Sequence, residues 1–80
     1  MLAFVLIRVG MDASARVAKE ISRIDGVNEV YELTGDIDLI AKVEARSIDE
    51  LSRIIFRIRE IEGVQGTDTR IVLAKILERR

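Results

Sequence analysis

The sequence contains no cysteine and no histidine. Without cysteine, the chain cannot form a disulfide, a thiolate nucleophile or a Cys-ligated zinc, iron–sulfur or copper site. Without histidine, it lacks the most common general base and the usual transition-metal ligand. We therefore expect a protein that is not an enzyme and that has no catalytic residue, no metal site and no cofactor.

Aromatic residues and an excess of positive charge are also missing. Tryptophan is absent, and the three other aromatics are Phe4, Tyr31 and Phe56, which is too few for a base-stacking surface. The 13 basic and 14 acidic residues give a net charge of −1, so no basic surface is available for a phosphate backbone. The longest apolar run, Leu2 to Ile7, is too short to cross a bilayer. These features predict a soluble cytoplasmic domain with no direct DNA binding and no membrane contact.

With 80 residues, the chain has the length of one small domain, residues 1–80. The first half predicts a strand, a helix and a second strand. Ala3 to Val9 is apolar and β-branched, as in a strand buried on both faces. Asp12 is the predicted cap of a helix with apolar residues at helical spacing. Gly26 is expected to end this helix in a left-handed conformation, and Val27 to Thr34 is the second strand.

The second half repeats this pattern. Thr34 to Ile37 predicts a two-residue type II′ turn, and Ile37 to Ala45 a third strand; this pairing places Glu29 opposite Lys42. Ser47 and Glu50 form a predicted capping box for the second helix. Gly63 ends that helix, and the last predicted strand runs from Val64 to Leu77, with its strongest signal after Arg70.

The predicted order is βαββαβ, and the two halves echo each other at Ile21–Val27 and Ile58–Val64. This predicts an α+β, ferredoxin-like βαββαβ sandwich. Right-handed crossovers then give an antiparallel sheet of order 4-1-3-2 with two helices on one face.

The opposite face of this sheet is expected to be apolar and uncovered. On the first strand, Phe4 and Leu6 lie opposite Val5, Ile7 and Val9. The last strand is also apolar on both sides, with Ile71 and Leu73 opposite Val72, Ala74 and Ile76. An open apolar face of this size is unusual for a monomer. We therefore predict a homodimer through the opposite sheet face, the alternative being a tail of the same chain folded across it.

Two pairs of polar residues are candidates for function. Asp36 and Asp38 flank the predicted turn, where they could bind a cation, act in acid–base catalysis or simply be turn and strand-end residues. Together with Gly35, they could also bind a zwitterion. In that case the backbone N–H groups of the turn bind the carboxylate of the ligand, and the Asp carboxylates bind its ammonium group. Thr67 and Thr69 are two residues apart, so both hydroxyls point to one face, either to bind a small ligand or as ordinary strand residues.

The whole chain resembles the RAM domain, the amino-acid-binding module of the Lrp/AsnC family of transcriptional regulators. The segments that carry this resemblance are Phe4–Val9, Gly26-Val27, Thr34-Gly35-Asp36-Ile37-Asp38-Leu39, Lys42-Val43, Gly63-Val64, Thr67-Asp68-Thr69 and Val72-Leu73. The family usually has proline before the glycine at the helix ends, where this chain has Asp25 and Glu62. Because Met1 leads directly into the first strand, we expect a stand-alone RAM domain without the helix-turn-helix domain of the full-length regulators.

The resemblance implies a function and a site. It implies dimers that assemble into an octamer or similar ring, with a small amino-acid effector bound between dimers. It also implies that Gly35 and Asp36 contact the effector, Asp38 binds its ammonium group, and Thr67 and Thr69 line the pocket. We expect a non-catalytic sensor that modulates transcription indirectly, through partners such as a full-length Lrp/AsnC regulator. The alternatives are an ACT-like regulatory subunit of a metabolic enzyme and, third, a small lyase or isomerase.

Overall fold

The computed structural model describes all residues from 1 to 80 and has the predicted order of elements. The elements are β1 (Leu2–Val9), α1 (Ser14–Ile21), β2 (Val27–Glu32), β3 (Leu39–Glu44), α2 (Ile48–Arg59) and β4 (Val64–Ile71). The strands form one antiparallel sheet of order β2-β3-β1-β4, which is the predicted order 4-1-3-2 named from the other edge. Neither helix has the length and apolar character needed to cross a membrane.

The core lies between the helices and one face of the sheet. All 15 buried residues are apolar. Val5 and Ile7 of β1 and Leu39 of β3 are fully buried, as are Ile21 of α1 and Ile58 of α2. The alternation of buried and half-buried residues along β1 confirms that its side chains alternate between the helix-covered face and the open face.

Two local predictions in the second half of the chain are confirmed. Glu29 pairs with Lys42 across β2 and β3, and their side chains form an ion pair of 3.7 Å. At the start of α2, the Ser47 hydroxyl accepts a hydrogen bond of 3.1 Å from the Glu50 backbone N–H. The capping box is only half formed, because the Glu50 carboxylate accepts from Arg46 rather than from the Ser47 backbone.

The prediction that Asp12 caps α1 is wrong. Ala13 occupies the cap position, with no side-chain hydrogen bond to the helix, and Asp12 itself has a left-handed backbone with φ 65°. The helix also ends at Ile21, before the predicted stop at Gly26. Ile24 is nevertheless buried. The spacing of apolar residues therefore predicted which side chains are buried, although the last of them lies beyond the end of the helix.

The strands β2 and β3 are shorter than predicted, and the predicted two-residue turn between them is wrong. The β2–β3 ladder ends at Glu32 and Leu39, and the last hydrogen bond is Leu33 N–H to the Asp38 carbonyl, 2.8 Å. The register is the one that a turn centred on Gly35 and Asp36 would give, but the connection is a wider loop, residues 34–37. The Asp38 backbone N–H donates to the Ile7 carbonyl of β1 (3.0 Å), so the start of β3 is bonded to β1.

The last strand also ends early, and its predicted strongest part lies outside the sheet. β4 stops at Ile71, and one further hydrogen bond joins Val72 N–H to the Leu2 carbonyl. Beyond it, Leu73 and Ile76 are 97% and 90% exposed. The apolar part of the open face is therefore formed mainly by β1, β3 and β2, rather than by β1 and β4 as predicted.

Two glycines with positive φ allow a matched test of the fold. Gly26 has φ +97°, and a Cβ there would lie 2.6 Å from Ile54 Cδ1 and 3.1 Å from the Glu44 carbonyl oxygen. Gly35 has φ +103°, and a Cβ there would meet nothing within 4 Å. We expect Gly35→Ala to cost about 1–2 kcal/mol of unfolding free energy through backbone strain alone, and Gly26→Ala to cost clearly more through overlap. Urea unfolding of both variants measures this; equal losses would contradict it.

Candidate functional site

The structure places four of the five predicted ligand-binding residues toward one end of the sheet, whereas Thr69 is paired with Val5 in the middle of β1. Gly35, Asp36 and Asp38 are in the β2–β3 loop, and Thr67 and Thr69 are on β4. Both groups approach the same part of the central strand, because Leu39 and Thr67 are both paired with Ile7 from opposite sides. Within one protomer, however, these five residues do not enclose a common cavity, and only Thr67 lines one.

Asp38 has a structural partner that the sequence did not reveal. Its Oδ2 atom accepts a hydrogen bond of 2.9 Å from the Val9 backbone N–H, in a partly buried position. The N–H of Asp38 bonds to Ile7 at the same time. This residue therefore ties the β2–β3 loop to the end of β1, and one of its carboxylate oxygens is already occupied.

Gly35 and Asp36 form the exposed tip of the loop. Both residues are exposed, and the Asp36 carboxylate has no hydrogen bond or ion pair within the chain. The positive φ of Gly35 is a conformation that glycine adopts without steric cost. The tip is thus free to contact a ligand or a second molecule from outside the protomer.

Thr67 and Thr69 lie on the helix-covered side of β4, because they are paired with the buried residues Ile7 and Val5. Both are half-buried, and they face the same side of the sheet, as their spacing predicts. Asp68, between them, faces the open side and forms an ion pair of 2.7 Å with Arg70. The hydrogen bond from Arg70 lowers the pKa of the Asp68 carboxyl, and the charge of Arg8 adds a smaller effect in the same direction.

A polar cavity of about 410 Å³ lies where β4 begins. Its lining contains one apolar residue and no carboxylate; the residues are Arg8, Arg59, Val64, Gln65, Gly66 and Thr67. Arg8 reaches the cavity from β1, where it is paired with Gly66 beside an irregularity in the β1–β4 ladder. Arg59 is the last residue of α2. The sequence analysis singled out neither arginine as a candidate site residue.

Comparison with known families gives one clear match. The model of the Lrp/AsnC ligand binding domain matches residues 2–80. The chain is 42% identical over 73 residues to the HTH-type transcriptional regulator FL11 of Pyrococcus abyssi, covering 91% of this chain and 48% of the regulator. It is also 47% identical over 60 residues to homocitrate synthase of Sulfurisphaera tokodaii, covering 75% of this chain and 13% of the enzyme. The chain thus spans about half the length of the regulators it matches.

Solved structures show the same fold. TTHA0845 from Thermus thermophilus superposes with a TM-score of 0.89 at 32% identity, over 96% of this chain and 98% of that one. E. coli AsnC superposes with a TM-score of 0.91 at 30% identity, over 99% of this chain and 54% of AsnC. The transcriptional regulator NMB0573 of Neisseria meningitidis, solved as a complex with L-Met, has a TM-score of 0.84 at 20% identity, over 96% of this chain and 52% of the regulator, which is a likeness of fold alone.

Proposed function

The chain belongs to the Lrp/AsnC ligand-binding domain family, and we propose that it is a non-catalytic regulatory domain that binds a small amino acid. The match over residues 2–80 carries this proposal. Two further observations support it: the relatives from Pyrococcus are transcriptional regulators, and a regulator of the same fold was solved with L-Met. The proposal includes a cytoplasmic location and action on transcription through a partner regulator.

We propose further that a second copy of the chain covers the open face of the sheet. Leu6 of β1 is paired with Ile40 of β3, which is paired with Tyr31 of β2, so an apolar row crosses three strands. Tyr31 is 53% exposed, and the apolar side chains of the tail after β4 have no cover in the protomer. A symmetric dimer buries both surfaces at once.

The effector site is proposed to form where such dimers meet. The β2–β3 loop presents Gly35 and Asp36 outward, whereas Thr67 and Thr69 lie on β4 of the same protomer without sharing a cavity with them. A ring of dimers, such as an octamer, brings the loop of one copy to a neighbouring copy and completes a pocket. Binding then favours one assembly state by differential affinity.

The direct test is calorimetric titration of the full chain with each of the twenty amino acids, combined with light scattering with and without them. We expect heat of binding and a change in assembled mass for at least one amino acid. The absence of both for all twenty would overturn the sensor proposal.

Thr67 allows a sharper test of the site. Thr67→Val removes the hydroxyl and keeps the branched shape, so the fold is retained while one hydrogen bond to the effector is lost. We expect the dissociation constant of the best amino acid to rise about five- to tenfold. The control is Ser52→Ala on α2, which removes a hydroxyl outside the proposed site and is expected to bind as the natural chain does. An equal loss of affinity in both variants would remove Thr67 from the site.

The second candidate is a regulatory subunit or domain of a metabolic enzyme. The specific observation in its favour is the match to homocitrate synthase over 60 residues. Co-purification of a metabolic enzyme whose turnover changes when the chain and an amino acid are added would support this alternative. Co-purification of a transcriptional regulator would favour the first proposal.

A further inference from the structure

The polar cavity at the start of β4 suggests the class of effector. We propose that the amino acid bound is acidic, with its side-chain carboxylate held by Arg8 and Arg59; this inference rests on the proposed function above. It uses two residues that the family resemblance did not single out.

Arg8 and Arg59 form no ion pair within the chain; Asp68, whose carboxyl pKa the charge of Arg8 lowers slightly, is itself paired with Arg70. The five ion pairs of the chain involve other basic residues, and neither guanidinium donates a hydrogen bond within the chain. The Arg59 guanidinium lies over the ring of Phe56, with Cζ 6.0 Å from the ring centroid. Two guanidinium groups on one cavity without a carboxylate in its lining favour an anionic ligand, since paired N–H donors match a carboxylate in geometry and charge.

The backbone of β4 helps to place Arg8. A Cβ built on Gly66 would overlap the Arg8 guanidinium and lie 3.0 Å from Cζ. The absence of a side chain at Gly66 therefore leaves the space in which this guanidinium lies across the strand. Gln65 and Thr67 flank the same position and provide an amide and a hydroxyl for the remaining polar atoms of a ligand.

The size and composition of the cavity favour a small polar molecule. Its volume of about 410 Å³ is in the range of small-molecule sites. An aliphatic effector side chain would remove water from both guanidinium groups without replacing the lost hydrogen bonds. Two arginines in a chain of net charge −1 are too few for a nucleic-acid backbone. Together these points favour L-glutamate or L-aspartate over neutral amino acids.

The test compares acidic amino acids with their amides, which have nearly the same shape and no side-chain charge. In calorimetric titration of the full chain, we expect L-glutamate or L-aspartate to bind at least about tenfold more tightly than L-glutamine or L-asparagine. This preference should decrease as the salt concentration rises. Arg8→Gln and Arg59→Gln should each reduce the ratio of the two dissociation constants, amide over acid, to about one.

Two further variants separate charge from position. Gly66→Ala keeps both arginines but forces the Arg8 guanidinium to move, so it should also weaken the preference. Arg53→Gln on the exposed side of α2 removes one positive charge away from the cavity and should leave the preference intact. Circular dichroism of each variant checks that the fold is retained.

The titration distinguishes a failure of the acidic-effector proposal from a failure of the sensor proposal. If a neutral amino acid such as L-leucine binds and L-glutamate binds no better than L-glutamine, the acidic effector is excluded and the sensor function stands. If no amino acid binds, both inferences are overturned. The comparison of glutamate with glutamine needs only the natural chain, so it decides the question even if a variant fails to fold.

Discussion

Leu6→Asp is expected to abolish the dimer. Leu6 lies on the open face of the central strand β1 and is paired with Ile40 on one side and Asp68 on the other. In the proposed dimer the new carboxylate is buried against a second apolar sheet and close to an existing acidic residue. The desolvation of an unpaired charge costs several kcal/mol, which corresponds to an increase of more than about a hundredfold in the dissociation constant. Light scattering should show a mass of 9.0 kDa instead of the mass of a dimer or of a ring of dimers.

The control for this experiment places the same residue on the helical side of the molecule. Ala15→Asp introduces a carboxylate at an exposed position of α1 and should leave the mass of the dimer unchanged. A natural chain that is folded and monomeric at nanomolar concentration would contradict the dimer, as would a Leu6→Asp variant that remains dimeric. Because small domains bury little apolar surface, the monomeric variant is also expected to unfold at a lower temperature.

The fold could be predicted from sequence because its determinants are local and periodic. The alternation along β1 and the apolar stripe of α2 each report burial directly. The pairing of Glu29 with Lys42 followed from the predicted turn, whose central residues Gly35 and Asp36 are equally distant in sequence from these two residues. Ser47 was identifiable as a cap from its type and position alone.

The end of β4 could not be predicted in the same way. The residues after Ile71 have the composition of a strand, and composition is what the sequence shows. A strand also needs a partner, however, and β1 begins at Leu2, which already accepts the last hydrogen bond from Val72. Strand length at an edge is therefore set by the neighbouring strand rather than by the residues of the strand itself.

The candidate site was predictable only in part for the same reason. Thr67 and Thr69 were found because their spacing places both on one face of a strand. The hydrogen bond from Val9 to Asp38 and the approach of Arg8 to Gly66 depend on the register between strands that are distant in sequence. Such contacts have no local signal, so the polar cavity and its two arginines emerged only from the three-dimensional structure.

Ile58→Ala is expected to give one of the largest losses of stability among single changes in the core. Ile58 is fully buried on α2 within the cluster of 15 apolar residues, and removing its side chain both loses buried apolar surface and leaves a cavity. Such changes cost about 2–5 kcal/mol, a large share of the 5–15 kcal/mol typical of a whole domain. Ile48→Ala, at a residue 55% exposed in the first turn of the same helix, should change the unfolding free energy by less than about 0.5 kcal/mol. The unfolding free energies of both variants should be measured in urea at one protein concentration, because the stability of a dimer depends on that concentration. Equal losses of unfolding free energy would mean that α2 does not pack on the sheet through Ile58.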